Sequence, residues 1–285
     1  MKPVIAVYGN CQAGVFCHGL RRVPMVDDQY EVVYIQSFGA GDQERPDITP
    51  EQAERCQIYW RQVDEHARFN PDDLLTHARK ITFPAVDLGL YWPFQTQDAM
   101  FGPEPDFPFG RYPYGDRIVM ELSQRQPAPE DTISAYEALS MERLGNVDRS
   151  LELELHRLLR REANADVKIA AFIFSSFRID RLYWAYNHPT SILLGKLFTR
   201  LAVASWPEAG DPTTETGRIV PEVFRGWEPF DHQHVPIPKV IAEKLGLIWW
   251  NPSLKYKYQE QYVSEAQYIQ AYHDIRRTRL ASSPS

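Results

Sequence analysis

The chain has 285 residues, a formal charge of −7 at pH 7, 44% hydrophobic residues and three cysteines. That length makes one large domain or two small ones, and either buries a substantial core without staples. The acidic balance argues against a nucleic-acid footprint, and Cys11, Cys17 and Cys56 are too few and too irregular for a disulfide framework or zinc cluster, so no metal is expected. The Met-Lys-Pro start and the absence of any run of eighteen apolar residues predict a cytoplasmic protein without an integral membrane segment.

The first element is the most informative. Residues Val4 to Val7 are apolar without a break, as in a fully buried strand, and the run stops at Gly9-Asn10-Cys11-Gln12. Gly9 permits a tight turn into a helix over Ala13 to Arg21. Cys11 then sits at a strand-to-helix corner, where backbone N–H groups and a helix N-terminus favour a thiolate and an adjoining oxyanion. This is the pattern of a nucleophile elbow with cysteine in place of serine. The same residues also read as a small buried cysteine beside an ordinary first-strand glycine.

Three more strands follow, over Tyr30 to Ile35, Gln57 to Trp60 and Lys80 to Phe83, with helix starts at Thr49-Pro50-Glu51 and Asn70-Pro71-Asp72. Strand and helix in alternation predict a parallel sheet whose strands all finish on one edge, where ligands of open α/β sheets bind. Asn10, Cys11, Ser37 and Gln62 are expected to converge there, although Ser37 and Gln62 taken singly read as polar loop residues.

From Gly89 to Gly115 proline, glycine and aromatics dominate, which predicts a long ordered loop serving as a lid or binding wall, or as an oligomer interface. Helices are expected over 130–144, 147–160 and 167–177, the last capped by Asp166. A short aromatic strand from Arg181 ends at Asn187-His188-Pro189, and Thr190-Ser191 cap a helix from Ile192 to about Ala204. His188 is therefore placed at a strand end, on the edge that carries Cys11. It reads as a base or as a satisfied structural histidine, and the candidate nucleophile at Cys11 is what favours the base. His232 and His234 lack a third ligand at metal spacing. Helices over 239–245 and 264–279 complete the chain, giving an α/β fold with a parallel sheet and flanking helices and a largely helical C-terminal half. The organisation expected is one domain over 1–285: a sheet core over 1–90, the aromatic loop over 91–129 and a mainly helical part over 130–285.

Gly9-Asn10-Cys11-Gln12 after the first strand and Tyr186-Asn187-His188-Pro189-Thr190 before a helix make the chain resemble the WcbI family of polysaccharide-biosynthesis proteins. Ile58 to Gln62, Ile81-Thr82-Phe83-Pro84, Trp92-Pro93-Phe94, Pro236-Ile237-Pro238 and Leu245-Gly246-Leu247 extend the likeness along most of the chain. The resemblance implies a coenzyme A-binding acetyltransferase acting on capsular or related surface polysaccharide, with acetyl-coenzyme A as donor and a sugar as acceptor. It makes Cys11 and His188 the catalytic candidates. Gly9, Asn10, Gln12, Ser37, Gln62 and Asn187 are expected to hold the oxyanion or substrate, and Arg21, Arg22 and Lys196 are candidate partners for the phosphates of coenzyme A, each also readable as surface charge. A looser likeness to SGNH hydrolases gives the same nucleophile and base, but Ala185 stands where that pattern has an aspartate three residues before the histidine. A thiol-dependent esterase or deacetylase, and a non-catalytic coenzyme A or carbohydrate-binding module, remain alternatives. A phosphatase loop is disfavoured because Cys17 and Val23 stand where an arginine should follow Cys11 and Cys17 by six residues.

Overall fold

A computed structural model describes residues 1–38, 47–63, 70–107, 109–125 and 127–282. In chain order the elements are β1 (Val4–Gly9), α1 (Cys11–Leu20), α2 (Pro24–Gln29), β2 (Glu31–Gln36), α3 (Pro50–Glu54), β3 (Cys56–Val63), β4 (Arg79–Pro84), β5 (Gln95–Thr96) and β6 (Gly115–Asp116). Then follow α4 (Arg117–Arg125), α5 (Thr132–Arg143), α6 (Val147–Arg161), α7 (Ala170–Ser176), β7 (Tyr183–Ala185), β8 (His188–Pro189), α8 (Ser191–Ser205), α9 (Glu215–Ile219), α10 (Lys239–Leu245), β9 (Tyr256–Tyr258), β10 (Gln261–Val263) and α11 (Glu265–Ser282). No helix among the described residues is long and apolar enough to cross a membrane. The chain divides into two compact units, each assembled from separate stretches rather than from the consecutive segments expected.

The first unit comprises Met1–Val86, Leu155–Ser175 and Thr190–Pro229. Its four-stranded sheet has the order β2-β1-β3-β4, and all pairings are parallel. Every residue of β1 is buried, which is why its sequence does not alternate. Val4, Ala6 and Tyr8 face one side with Val33, Ile35 and Tyr59. A cluster of Phe16 with Phe83, at 5.6 Å, and of Trp60 with Phe198, at 5.9 Å, packs α1 and α8 onto the sheet. Trp60 Nε1 donates to Ser205 Oγ at 2.7 Å, so the one polar atom of that indole is satisfied inside the core.

Several helix starts differ from those read in the sequence. Thr49 does form a capping box with Gln52, but Asn70-Pro71 opens only a single 3₁₀ turn, Asp72–Leu74. Asp166 is drawn away from its expected cap because its carboxylate accepts from Thr82 N and Thr82 Oγ1, both at 2.7 Å. α7 therefore starts later, at Ala170, where the buried Glu162 accepts from Ile169 N and Ala170 N. Glu228 likewise takes the capping role expected of Thr190, accepting from Ser191 N at 2.9 Å.

The second unit comprises Asp87–Glu154, Ser176–Pro189 and Phe230–Ser285. The aromatic stretch expected as a lid or interface is instead largely core of this unit: Tyr91, Trp92, Phe94, Phe101 and Tyr112 are buried, Phe107 and Tyr114 are half-buried, and Phe109 is 80% exposed. Tyr112 stacks on Tyr272 of α11 at 4.0 Å and meets Phe101 at 5.0 Å. The stretch over 91–129 is not loop throughout, since it contains β5, β6 and α4. Asp98, buried beneath it, pairs with Arg276 and accepts from Tyr272 Oη at 2.7 Å, so α11 is held by a desolvated ion pair as well as by apolar packing.

Candidate functional site: a thiol corner and a histidine hairpin

In the first unit β1 ends at Gly9, whose φ of +154° is open to glycine and strained for other residues. Asn10 then leaves helical geometry and caps α1, its Oδ1 accepting from Gln12 N at 3.0 Å. Cys11 is thus the first residue of a ten-residue helix. The peptide dipoles of that helix favour negative charge at its start.

Two buried glutamines and a half-buried tyrosine hold the corner. Gln62, 1% exposed, accepts from Asn10 N at 2.8 Å through Oε1 and donates to Gln12 Oε1 at 3.1 Å through Nε2. Gln12 in turn grips Val86, donating to its carbonyl at 2.6 Å and accepting from its N–H at 3.0 Å. Tyr34 of β2 donates to Asn10 O at 2.9 Å. Burial raises the Tyr34 phenol, and the neighbouring Cys11 adds to the effect, so the hydroxyl stays a donor. Ser37 N continues the β1–β2 ladder by donating to Gly9 O at 2.9 Å, and Ser37 is buried. Asn10, Cys11, Ser37 and Gln62 therefore meet on the carboxyl edge of the sheet, together with Gly9 and Gln12. Gln12 and Gln62 are engaged at both ends of their side chains, in bonds that shape the turn.

The other two thiols differ in kind. Burial pushes Cys17, 1% exposed, up to about 12 and Cys56 up to about 11, which leaves both protonated and inert. Cys11 is only partly buried.

In the second unit β7 and β8 form a two-stranded antiparallel hairpin in which Ala185 opposes His188. His188 accordingly begins a strand of its own and does not end a strand of the four-stranded sheet. Its ring stacks on Phe230 at 5.1 Å and lies 4.9 Å from the His232 ring. Tyr114 Oη is 3.1 Å from His188 Nε2 and 2.5 Å from Asn187 Oδ1, to which it donates. His188 Nδ1 is buried and has no hydrogen-bond partner. Burial pulls the imidazole down to about 3, and the adjacent His232 pulls in the same direction, so the ring is neutral at physiological pH.

His232 and His234 diverge. His234 stacks on Trp184 at 4.1 Å, accepts from Lys257 N at 3.0 Å through Nδ1 and bonds Asp231 through Nε2. Both nitrogens are occupied, which makes it a structural residue. Among the described residues no group of three or more His, Cys, Asp or Glu side chains is placed to hold a metal ion.

The profile of the polysaccharide biosynthesis enzyme WcbI family matches residues 4–205, a span that includes both the thiol corner and the histidine hairpin. The chain belongs to the WcbI family. It is therefore an enzyme of polysaccharide biosynthesis by family. Its fold is also similar to a solved structure of WcbI, described as a novel polysaccharide biosynthesis enzyme and as the native protein without a disulfide bond between coenzyme A and one of its cysteines. The TM-score is 0.73 and the identity 17%, over 100% of this chain and 91% of that one. Comparison with curated protein sequences gives no significant match.

In this WcbI-family chain the three cations proposed for phosphates make local contacts. Arg21, at the far end of α1 and about 15 Å from Cys11 along the helix axis, donates to Val32 O at 2.7 Å. The Arg22 guanidinium lies 3.7 Å over the Trp227 ring, and Lys196 Nζ is 5.7 Å from that of Phe172. Sequence reasoning missed Tyr34, Tyr114 and Phe230, and weighed His232 only as a metal ligand and not as a neighbour of His188. Tyr34 fell within the expected second strand, and its approach to Gly14, where an added Cβ would come within 3.2 Å of the ring, is visible only in the fold. Tyr114, Phe230 and His232 lie far from His188 in sequence and carried no signal of that contact.

Proposed function

We propose that this protein is an acyltransferase that moves an acyl group, acetyl in the simplest case, from its coenzyme A thioester to a sugar hydroxyl of a surface or capsular polysaccharide. One observation carries the reading. In a family of polysaccharide biosynthesis enzymes, the partly accessible thiol, Cys11, opens a helix at the carboxyl edge of the parallel sheet while Cys17 and Cys56 are sealed. The solved WcbI structure, described by reference to a bond between coenzyme A and a cysteine, supports coenzyme A as the group this chain meets. Such thioesters belong to the cytoplasm, the compartment this reading requires.

In the proposed reaction the Cys11 sulfur bonds to the thioester carbonyl carbon, and the bond from that carbon to the coenzyme A sulfur breaks. The thiol proton leaves by way of a base to the departing sulfur. The sugar hydroxyl oxygen then bonds to the acyl carbon, and its proton returns by the same route as the Cys11 sulfur departs. His188 is assigned as that base on the chemistry of its own surroundings, a neutral imidazole with a lone pair lacking any partner. Because Asn10 Oδ1 is anchored by Gln12 N, the Asn10 amide nitrogen is the proposed oxyanion donor, worth about 3 kcal/mol of barrier.

The test has two stages. Acetyl-coenzyme A should raise the melting temperature, with about 2.7 kcal/mol of stabilisation at one hundred times Kd, and intact-mass spectrometry should show one acetyl group on the wild type and none on Cys11→Ala. Sugar added to the acylated protein should then yield acetyl-sugar rather than acetate. Acetate alone would make the protein a hydrolase, and no binding of the donor would overturn the proposal. Near-normal transfer by Cys11→Ala would remove the covalent step and leave direct attack by the sugar hydroxyl.

A further inference from the structure

A histidine that handles a proton needs one nitrogen protonated and held while the other stays basic, and the choice is normally imposed by a carboxylate. Here the residue facing His188 across the hairpin is Ala185, which supplies no such group. The hydrogen bonds around Tyr114 settle the question in another way. The phenol has a single proton. With the Asn187 amide placed so that Oδ1 faces the phenol, their contact at 2.5 Å joins two oxygens and carries the phenol proton, whereas the contact with His188 Nε2 is longer, at 3.1 Å. With the phenol proton given to Asn187, the phenol oxygen can only accept from His188. Nε2 must then carry the ring proton, and Nδ1 must carry the lone pair.

We infer that Tyr114, oriented by Asn187, is the positioning residue of His188: it fixes the Nε2–H tautomer and makes Nδ1 the basic nitrogen. Two further observations agree with this assignment. Nδ1 is the atom of the ring that is buried without a partner, which is where an acceptor awaiting a substrate proton would be. The ring plane is stacked within 12° on Phe230 and met edge-on by Tyr114 at 81°, so its orientation is set by two aromatic neighbours, of which Tyr114 also sets the tautomer. The chain of Asn187, Tyr114 and His188 is neutral throughout. It orients the imidazole without adding a negative charge to stabilise the protonated ring, and that distinguishes it from a carboxylate-backed histidine.

The kinetic consequence of this assignment rests on the acyltransfer reading, but the tautomer does not, and the experiment separates the two. Long-range ¹H–¹⁵N correlation spectra of the full-length protein labelled at histidine, assigned through loss of the signals in His188→Gln, should show Nε2 protonated and Nδ1 unprotonated at pH 7. In Tyr114→Phe, which keeps the ring and removes the oxygen, both signals should move toward their mean as the two tautomers exchange. Asn187→Asp, which keeps an oxygen acceptor for the phenol, should retain the Nε2–H pattern and keeps the test open if Tyr114→Phe does not fold. A wild-type spectrum with the proton on Nδ1, or a Tyr114→Phe spectrum identical to wild type, would overturn the inference. With acyl transfer as the readout, Tyr114→Phe should lower kcat about tenfold, the order of one misdirected hydrogen bond, with KM for the acyl donor within twofold. An unchanged kcat alongside the expected spectral change would refute the assignment of His188 as base while leaving the tautomer standing.

Discussion

Gly9→Ala is the sharpest test of how the thiol corner is built. A Cβ at this position would lie 2.4 Å from Gln62 Oε1, 2.6 Å from Gln62 Cβ and 3.0 Å from Ala13 Cβ. The first of these atoms can swing aside, but the second is fixed to the β3 backbone, so the corner itself must shift. Three costs follow: about 1–3 kcal/mol for an alanine at a φ of +154°, about 1–3 kcal/mol for overpacking, and about 1–3 kcal/mol for the Asn10 N–H when Gln62 is displaced. A loss of at least about 3 kcal/mol is expected, a large part of a total stability of about 5–15 kcal/mol. Urea unfolding followed by circular dichroism should show it as a lower midpoint with an unchanged slope. Because Gln62→Ala removes the same Asn10 bond, the two substitutions should be sub-additive, with a coupling of about 1 kcal/mol in the double-mutant cycle. A Gly9→Ala protein within about 1 kcal/mol of wild type, or a strictly additive cycle, would refute the account of the turn.

Thiol titration of the native protein should find one fast-reacting cysteine, and Cys11→Ser should abolish it, because burial holds Cys17 and Cys56 protonated; a second fast thiol would contradict the packing. His188 is held well below its ordinary 6.5, at about 3, so the unfolded chain takes up its proton first as pH falls. Its contribution to stability is present above pH 6.5 and is lost toward about pH 3, at a rate approaching about 1.4 kcal/mol per pH unit. The stability gap between wild type and His188→Gln should therefore shrink from pH 7 to pH 5 in urea melts, and a constant gap would sink the assignment. Glu265 has the opposite sign. Burial pushes it up to about 7, aided by Glu137 and Asp116 and opposed by the Lys239 N–H and side chain, so the folded carboxyl is protonated and its contribution is lost as pH rises through 7. Glu265→Gln should gain on wild type between pH 5 and pH 8 in the same assay; no relative gain would mean that the carboxyl is solvated.

The first strand was legible because it is buried on both faces, and such a strand leaves an uninterrupted apolar run that ends in turn residues. Val4 to Val7 shows this, whereas β4 was legible from Ile81 and Phe83 alone and the helix start at Thr49 from its local capping box. Helix starts were less legible where a distant carboxylate supplied the cap. Glu162 precedes the helix it caps by eight residues, and Glu228 lies 37 residues beyond the Ser191 N–H it satisfies, so neither leaves a local pattern. The aromatic stretch was misjudged for a compositional reason. Proline and glycine do exclude regular structure there, but irregular backbone is compatible with burial when the rings pack on one another, as Tyr112 does on Tyr272.

The thiol corner and the histidine hairpin differ in the same way. The thiol corner is largely contained in four consecutive residues, and the sheet edge brings Ser37 and Gln62 to it by topology alone, so a sequence reading can assemble it. The histidine hairpin is held by contacts that span the chain: Tyr114 is 74 residues before His188, and Phe230 and His232 follow it by more than forty. Motif reasoning compared His188 with a pattern that has a carboxylate three residues upstream, found Ala185, and had no means of proposing a phenol as the substitute. The function performed at that position is geometric, one ring proton held in place. Any acceptor at hydrogen-bond distance can perform it, so the residue type is free to vary while the position in space is not, and a one-dimensional pattern records only the former.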